Sequence, residues 1–253
     1  MSTVQPPRER LRQWRLRIPG AVFFAALAVL ILAAAPASGQ QTYVTRFDAF
    51  GGYTYLNSPH IGLPESGFHF QAAVRPKTWV SLGFDYSISA GDLSLTPGLL
   101  LPSLQQTLGA QMIGLIKAGL LPATYTLAVP AHSRTQTFAA GPQLSYRRFK
   151  SVTLFLRPDL GAMHEVATPH APSGDFFAQG VVTTLAPTGQ KTDWVAFWGI
   201  GGGADFNFSP HVGLRVQMDV VHDHMFSDLL TDGRNTVRVS IGPAFNFGHN
   251  IVK

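Results

Sequence analysis

The chain contains no cysteine and few charged residues. Without cysteine among its 253 residues, a disulfide framework and thiol chemistry are both excluded. Charged residues make up only 13% of the chain, whereas it carries 25 Gly and 18 Phe. After residue 37 the sequence also lacks an apolar run long enough for a membrane-spanning helix. This composition favours a β-barrel membrane protein over a soluble domain.

The N-terminal segment Met1–Gly39 is predicted to be an export signal. Five arginines precede the uncharged stretch Ala21–Ala37, and the small residues that end it predict cleavage before Gln40, with cleavage after Ala37 as the alternative. The stretch approaches the length of a spanning helix, so an uncleaved anchor is a second interpretation. The predicted organisation is a signal peptide at residues 1–39 followed by one domain at residues 40–253.

The basic character of the chain belongs mostly to that segment. Residues 1–39 hold five of the 19 basic residues and one of the 14 acidic residues, which leaves 14 basic and 13 acidic residues in residues 40–253, a net charge of +1. A nearly neutral domain gives no electrostatic support for nucleic-acid binding. We therefore expect no nucleic-acid partner.

Apolar residues alternate with small or polar residues in many segments of the chain. In Thr236–Phe247, for example, Val237 and Val239 alternate with Arg238 and Ser240. A period of two describes a strand that lies between two different environments. The segments that carry it are Phe47–Tyr55, Phe68–Arg75, Trp79–Ser87, Thr137–Tyr146, Val152–Met163, Trp194–Phe208, Val212–Val220 and Thr236–Phe247.

The connections between these eight segments alternate in length. Short links and long loops are predicted, in turn, at Asn57–Gly67 (long), Pro76–Thr78 (short), Ala90–Gln136 (long), Arg147–Lys150 (short), Ala167–Asp193 (long), Ser209–His211 (short) and His222–Asn235 (long). Tight turns on one side and loops on the other predict an all-β fold, an eight-stranded antiparallel up-and-down transmembrane β-barrel. Strands of about 9–12 residues match the span that a tilted strand needs to cross a bilayer.

These features resemble the small eight-stranded bacterial outer-membrane barrels, such as the OmpA transmembrane domain and OmpX. The resemblance covers Phe47 to Phe247 and rests on the export signal, the strand count, the loop alternation and Gly-aromatic strands such as Phe50–Tyr55. It implies a bacterial outer-membrane location, contact with lipid and lipopolysaccharide, insertion by the barrel-assembly machinery, and a monomer. The chain departs from the family in its Gly248–Lys253 tail and in prolines that each remove a ladder donor. These prolines are Pro142, Pro158 and Pro243.

Charged residues on the inward parity of the strands predict a polar lumen. They are Asp48, Arg75, Asp85, Arg157, Asp159, Asp205, Arg215, Asp219 and Arg238. An isolated buried charge costs several kcal/mol, so we expect these residues to form ion pairs that plug the lumen of so narrow a barrel. The alternative is a small ion- or solute-conducting pore lined by the same side chains.

A polar cluster follows the seventh predicted strand. Its members are His222, Asp223, His224, Ser227 and Asp228. His, Ser and Asp are the residue types of a catalytic triad, so a lipid-modifying enzyme is an alternative. Triads are assembled from distant segments, however, and we interpret the cluster as loop polarity without a catalytic role. A metal site would need His132 or His170 to join its histidines, and neither a metal nor a cofactor is expected.

The run Gly201–Gly203 is not a phosphate-binding loop. It lacks the Lys-Ser/Thr pair and the helix that complete that motif, so we interpret these glycines as places where strands or side chains pack closely.

The second long loop is predicted to contain a short amphipathic helix. Leu104, Leu108 and Met112 recur at helical spacing between the start signal Pro102-Ser103 and the stop signal Gly119. We expect the apolar face of this helix to lie on the barrel rim or on the outer leaflet. The chain as a whole is predicted to be a non-enzymatic barrel that anchors four extracellular loops, with a role in envelope stability, adhesion or surface recognition.

Overall fold

The computed structural model describes residues 41–231 and 234–252. The predicted signal peptide and its cleavage site lie outside the described residues. The strands are β1 Thr45–Ser58, β2 Leu63–Lys77, β3 Val80–Leu95, β4 Val129–Tyr146, β5 Val152–Pro169, β6 Lys191–Asn207, β7 Val212–Asp223 and β8 Arg234–Asn250. Each strand pairs antiparallel with its neighbours, and β8 pairs with β1, so the sheet is a closed barrel. The predicted fold class is confirmed.

The strands extend beyond their predicted bounds at the loop side. For example, β3 and β4 remain paired as far as Leu95 and Val129. The prediction of a long first loop at Asn57–Gly67 is wrong, because β1 and β2 stay paired up to Ser58 and Leu63. Gly67 is a packing residue there, since a Cβ atom at this position would lie 1.9 Å from the Ile88 carbonyl oxygen of β3.

Two of the strand prolines oppose each other between β4 and β5. The ladder is regular up to the pair Ala140 and Leu160, and it resumes in the same register at Leu144 and Leu156. Pro142 and Pro158 fall in the interval between these pairs. Because neither proline has an N–H group, the two missing donors are confined to one short gap and the register is kept.

Two α-helices lie in the loops. Helix α1, Pro102–Lys117, begins with Pro at its first turn and ends before Gly119, which has a φ of 72°. It confirms the helix predicted in the second long loop, and its residues Leu104 and Leu108 pack on the loop end of the barrel. Helix α2, Phe176–Leu185, was not predicted. Among the described residues, no helix is long and apolar enough to span a membrane.

Helix α2 is fixed at its N-terminus by Asp175. One carboxylate oxygen of Asp175 accepts a hydrogen bond from the Ala178 N–H at 2.8 Å, and the other accepts one from the Tyr125 hydroxyl at 2.6 Å. Partial burial raises the pKa of Tyr125 above its ordinary value, and the hydrogen bond to Asp175 raises it further. The cap thus ties α2 to the segment that follows α1.

Barrel closure predicts heat-modifiable migration on a gel. Because every strand depends on both of its neighbours, we expect the folded protein to keep its compact form in SDS until it is boiled, and to migrate differently before and after boiling. Identical mobility under both conditions, together with a helical circular dichroism spectrum, would contradict the barrel.

Candidate functional site

The inner face of the barrel is lined with charged side chains. All nine of the residues predicted to face inward lie in the lumen, and none is more than 5% exposed. They form two groups along the barrel axis. The turn-side group, near the tight turns, contains Asp48, Arg75, Asp205 and Arg215, and the central group contains Asp85, Arg157, Asp159, Asp219 and Arg238.

The turn-side group is organised around Arg215. Its Nε and Nη2 atoms bind the two carboxylate oxygens of Asp205 at 2.6 and 3.0 Å, which is the bidentate geometry that guanidinium favours. Its guanidinium also lies 4.9 Å from the ring centroid of Phe155. Asp48 lies 2.7 Å from Arg75 Nη2 and 3.7 Å from Arg215 Nη2, so it joins the two arginines.

The central group shares the carboxylate of Asp85. Arg238 binds its two oxygens at 3.1 and 3.0 Å, and Arg157 lies 3.1 Å away. Each arginine has a second acidic partner, at 2.8 Å for Arg238 with Asp219 and at 2.6 Å for Arg157 with Asp159. Ion pairs therefore extend from β3 across the lumen to β5, β7 and β8.

Neutral polar side chains connect these ion pairs. His69 Nε2 lies 2.6 Å from Asp85, and its Nδ1 lies 2.9 Å from the hydroxyl of Ser240. Gln71 donates to Asp85 at 3.1 Å and accepts from Arg215 at 2.7 Å, so it links the central and turn-side groups. Buried polar atoms are costly without partners, and these contacts supply partners for both ring nitrogens of His69 and for the side-chain amide of Gln71.

A third charged group, the rim group, lies at the loop end of the lumen. Arg234 binds Asp223 at 2.7 Å and also binds Glu165, which accepts a further hydrogen bond from Ser133 at 2.8 Å. Nearby, Glu65 accepts from Thr135 at 2.9 Å. Of these residues only Asp223 was singled out from the sequence. The others lie where the strands extend beyond their predicted bounds. Extending the alternation of inward and outward residues along each strand would have identified them.

The polar cluster after β7 does not form a single site. Asp223 is fully buried inside the barrel, whereas the neighbouring His222 lies on the outer face, where its Nδ1 is 2.8 Å from Asn235 Oδ1 and its ring centroid is 5.5 Å from that of Trp198. His224 stacks edge-on against His222 at 5.0 Å. Ser227 and Asp228 are exposed, and Asp228 pairs with Lys191. Asp223 and His222 therefore lie on opposite faces of β7.

Residues 41–231 and 234–252 contain no group of three or more His, Asp or Glu side chains placed to hold a metal ion. His132 instead binds Asp92 through Nδ1 at 2.8 Å on the exposed face of β4.

Apolar side chains close the lumen on the loop side. We call this set the apolar cap: Ile61, Leu63, Leu100, Met225, Phe226 and Leu230. Phe226 is only 4% exposed and has a φ of 52°, and its N–H donates to Asp193 at 2.6 Å. A bulky residue with positive φ is held only where its surroundings determine it, so packing and this hydrogen bond fix Phe226 over the lumen.

The outer face of the barrel carries large exposed apolar side chains. They include Phe68, Trp79, Phe84, Leu160, Trp198, Ile200, Ile241 and Phe247, each at least 47% exposed. A soluble monomer rarely exposes a continuous apolar surface of this extent. A polar interior surrounded by an apolar exterior is the inverse of a soluble barrel and suits contact with lipid.

Closure of eight strands around a polar lumen, with this apolar exterior, defines the architecture. The fold is that of the small eight-stranded barrels. Among solved structures, the chain is similar to Neisserial surface protein A (NspA), at 10% identity over 83% of this chain and 99% of that one, with a TM-score of 0.48. It is also similar to outer membrane protein OprG from Pseudomonas aeruginosa, at 8% identity over 83% and 99%, with a TM-score of 0.44.

A further similarity is to Ail, the attachment invasion locus protein of Yersinia pestis, at 10% identity over 80% of this chain and 99% of that one, with a TM-score of 0.42. No protein-family model matches the chain. No curated protein matches it significantly.

Proposed function

We propose that the protein is a non-enzymatic barrel of the bacterial outer membrane that does not conduct and that anchors four loops at the cell surface. The observation that carries this proposal is the network of ion pairs through Asp85, which occupies the lumen from β3 to β8. An ion that crossed the lumen would have to displace side chains that already neutralise one another, and breaking such buried pairs is costly.

The apolar exterior and the N-terminal segment support the location. Residues 1–39 act as the export signal in this proposal, and the outward aromatic side chains contact lipid and lipopolysaccharide after insertion by the barrel-assembly machinery. The protein works as a monomer, and its role is in envelope stability, adhesion or surface recognition.

The loops provide the recognition surface of this proposal. They connect the strands at residues 59–62, 96–128, 170–190 and 224–233. The second and third carry α1 and α2, whose apolar residues Leu108, Met112 and Val181 belong to one packed cluster. Helices packed on each other and on the barrel present a defined surface to a partner, whose identity depends on loop chemistry rather than on the fold.

Planar-bilayer recording tests the sealed lumen. We expect no steady conductance from the purified protein after insertion, because the central group blocks the path. Migration of the same sample on an unboiled gel confirms that the barrel is folded. Large and stable channels in this protein would refute the plug and would favour the pore interpretation of the same residues.

A further inference from the structure

An apolar cavity of about 70 Å³ lies between the apolar cap and the inner face of β3 to β6. Its walls include Leu93, Leu95, Val129 and Ala131 from the strands, Val182 from α2, and Phe226 from the cap. The cavity is on the loop side of the turn-side and central groups and has Glu165 of the rim group in its wall, so a molecule could enter it without passing through the ion pairs of those two groups. Its place in the fold is therefore independent of whether the lumen conducts.

The polar groups at the cavity wall already have partners. The Glu165 carboxylate binds Arg234 and Ser133, and the Lys191 ammonium binds Asp228. A polar ligand would have to compete with these contacts. An apolar ligand needs only the aliphatic wall, and a dry apolar space of this kind favours apolar occupants over water.

The size and position of the cavity restrict the ligand further. An enclosed apolar cavity of about 150 Å³ admits benzene or xenon, and this cavity is smaller, at about 70 Å³. Lys191 lines the cavity with a side chain that is 32% exposed, and the lining residues Leu185 and Leu229 are only partly buried, so the cavity wall reaches the surface at these residues. A small cavity that reaches the surface accommodates the end of a chain better than a ring.

We propose that this cavity binds the end of an unbranched alkyl chain. Helix α2 supplies one wall through Val181 and Val182, and the Asp175 cap holds that helix in place. The chain could belong to a free hydrocarbon or to the acyl chain of a lipid. Both have the same chemistry, and the experiment separates them.

The test is NMR of methyl-labelled protein in nanodiscs made from perdeuterated lipid, with protonated n-decane added as the probe. We expect intermolecular nuclear Overhauser effects from decane to the methyl groups of Leu95, Val129 and Val182. A second sample contains protonated lipid and no decane, and contacts from its acyl chains to the same methyl groups would identify lipid as the source of the chain. Contacts from neither source would overturn the proposal.

Replacement of two alanines of β4 by phenylalanine, one inside the cavity and one outside it, tests whether the cavity itself is the site. Ala131→Phe fills the cavity and is expected to abolish these contacts. Ala140→Phe adds the same ring to the outer face of the same strand and is expected to keep them. If Ala131→Phe does not give the folded gel band, Ala167→Leu, which adds a smaller side chain to the same cavity, is used in its place. Contacts that remain in a folded cavity-filling variant would contradict a site in this cavity. Benzene, added in place of decane, would contradict a site for chain ends if it gave equal contacts.

Discussion

Arg238→Met is expected to lower the free energy of unfolding by about 3–5 kcal/mol, because it removes one partner from a buried ion network. Arg238 is 3% exposed and binds both Asp85 and Asp219. The central group contains three aspartates and two arginines, so the loss of Arg238 leaves Arg157 alone with three carboxylates. Urea unfolding of the barrel in detergent, followed by tryptophan fluorescence and by the unboiled gel band, measures the effect.

The control is Arg134→Met on β4, which removes the same charge from an exposed position. Surface substitutions of this kind change stability by about 0.5 kcal/mol or less. A double variant, Arg238→Met with Asp219→Asn, removes both partners of one pair and is expected to be more stable than the sum of the two single changes predicts. Equal losses for Arg238→Met and Arg134→Met, or strict additivity in the double variant, would show that the lumen is not held together by these pairs.

The inward charges could be predicted because the parity of a strand is a local property. Once Val237 and Val239 are assigned to the outer face, Arg238 between them must face inward, whatever the rest of the barrel does. Which acid each arginine binds could not be predicted in the same way. The contacts of Arg238 with Asp85 and Asp219 join β8 to β3 and β7, and such contacts depend on barrel diameter and stagger rather than on one strand's sequence.

The prediction was least complete at the loop side. The apolar alternation stops before the strands end, so the predicted bounds exclude Glu165 and Arg234. Helix α2 was missed because its apolar residues, such as Phe177, Val181 and Val182, are buried by packing against the distant segment around α1. Contacts between distant segments determine such short helices more than local propensity does. The side chain of Asp175 before the run Phe176–Val182 was the available signal for a cap.

Gly201→Val is expected to lower the free energy of unfolding by about 3 kcal/mol or more. A Cβ atom at Gly201 would lie 1.8 Å from Asp219 Oδ1 and 2.8 Å from its Cγ, so any larger residue must push Asp219 away from its partners. Asp219 binds Arg238 at 2.8 Å and accepts from Gln217 at 3.0 Å. The cost therefore combines overpacking, at about 1–3 kcal/mol, with the loss of a buried ion pair. Urea unfolding under the same conditions measures it.

Gly202→Val is the adjacent control, since this residue faces outward and its added Cβ atom would meet only the Phe155 carbonyl oxygen at 3.1 Å and Leu156 at 3.8 Å. We expect it to cost about 1 kcal/mol or less, because an outward-facing valine also suits a strand. Adding Asp219→Ala to Gly201→Val removes the clash, so the double variant should lose less stability than the two single changes together. Similar losses of unfolding free energy at positions 201 and 202 would mean that these glycines are needed for the backbone conformation and not for the packing of Asp219. A larger loss at position 201, together with a double variant that loses less than the sum of the two single changes, would show that Gly201 makes the space in which Asp219 reaches Arg238.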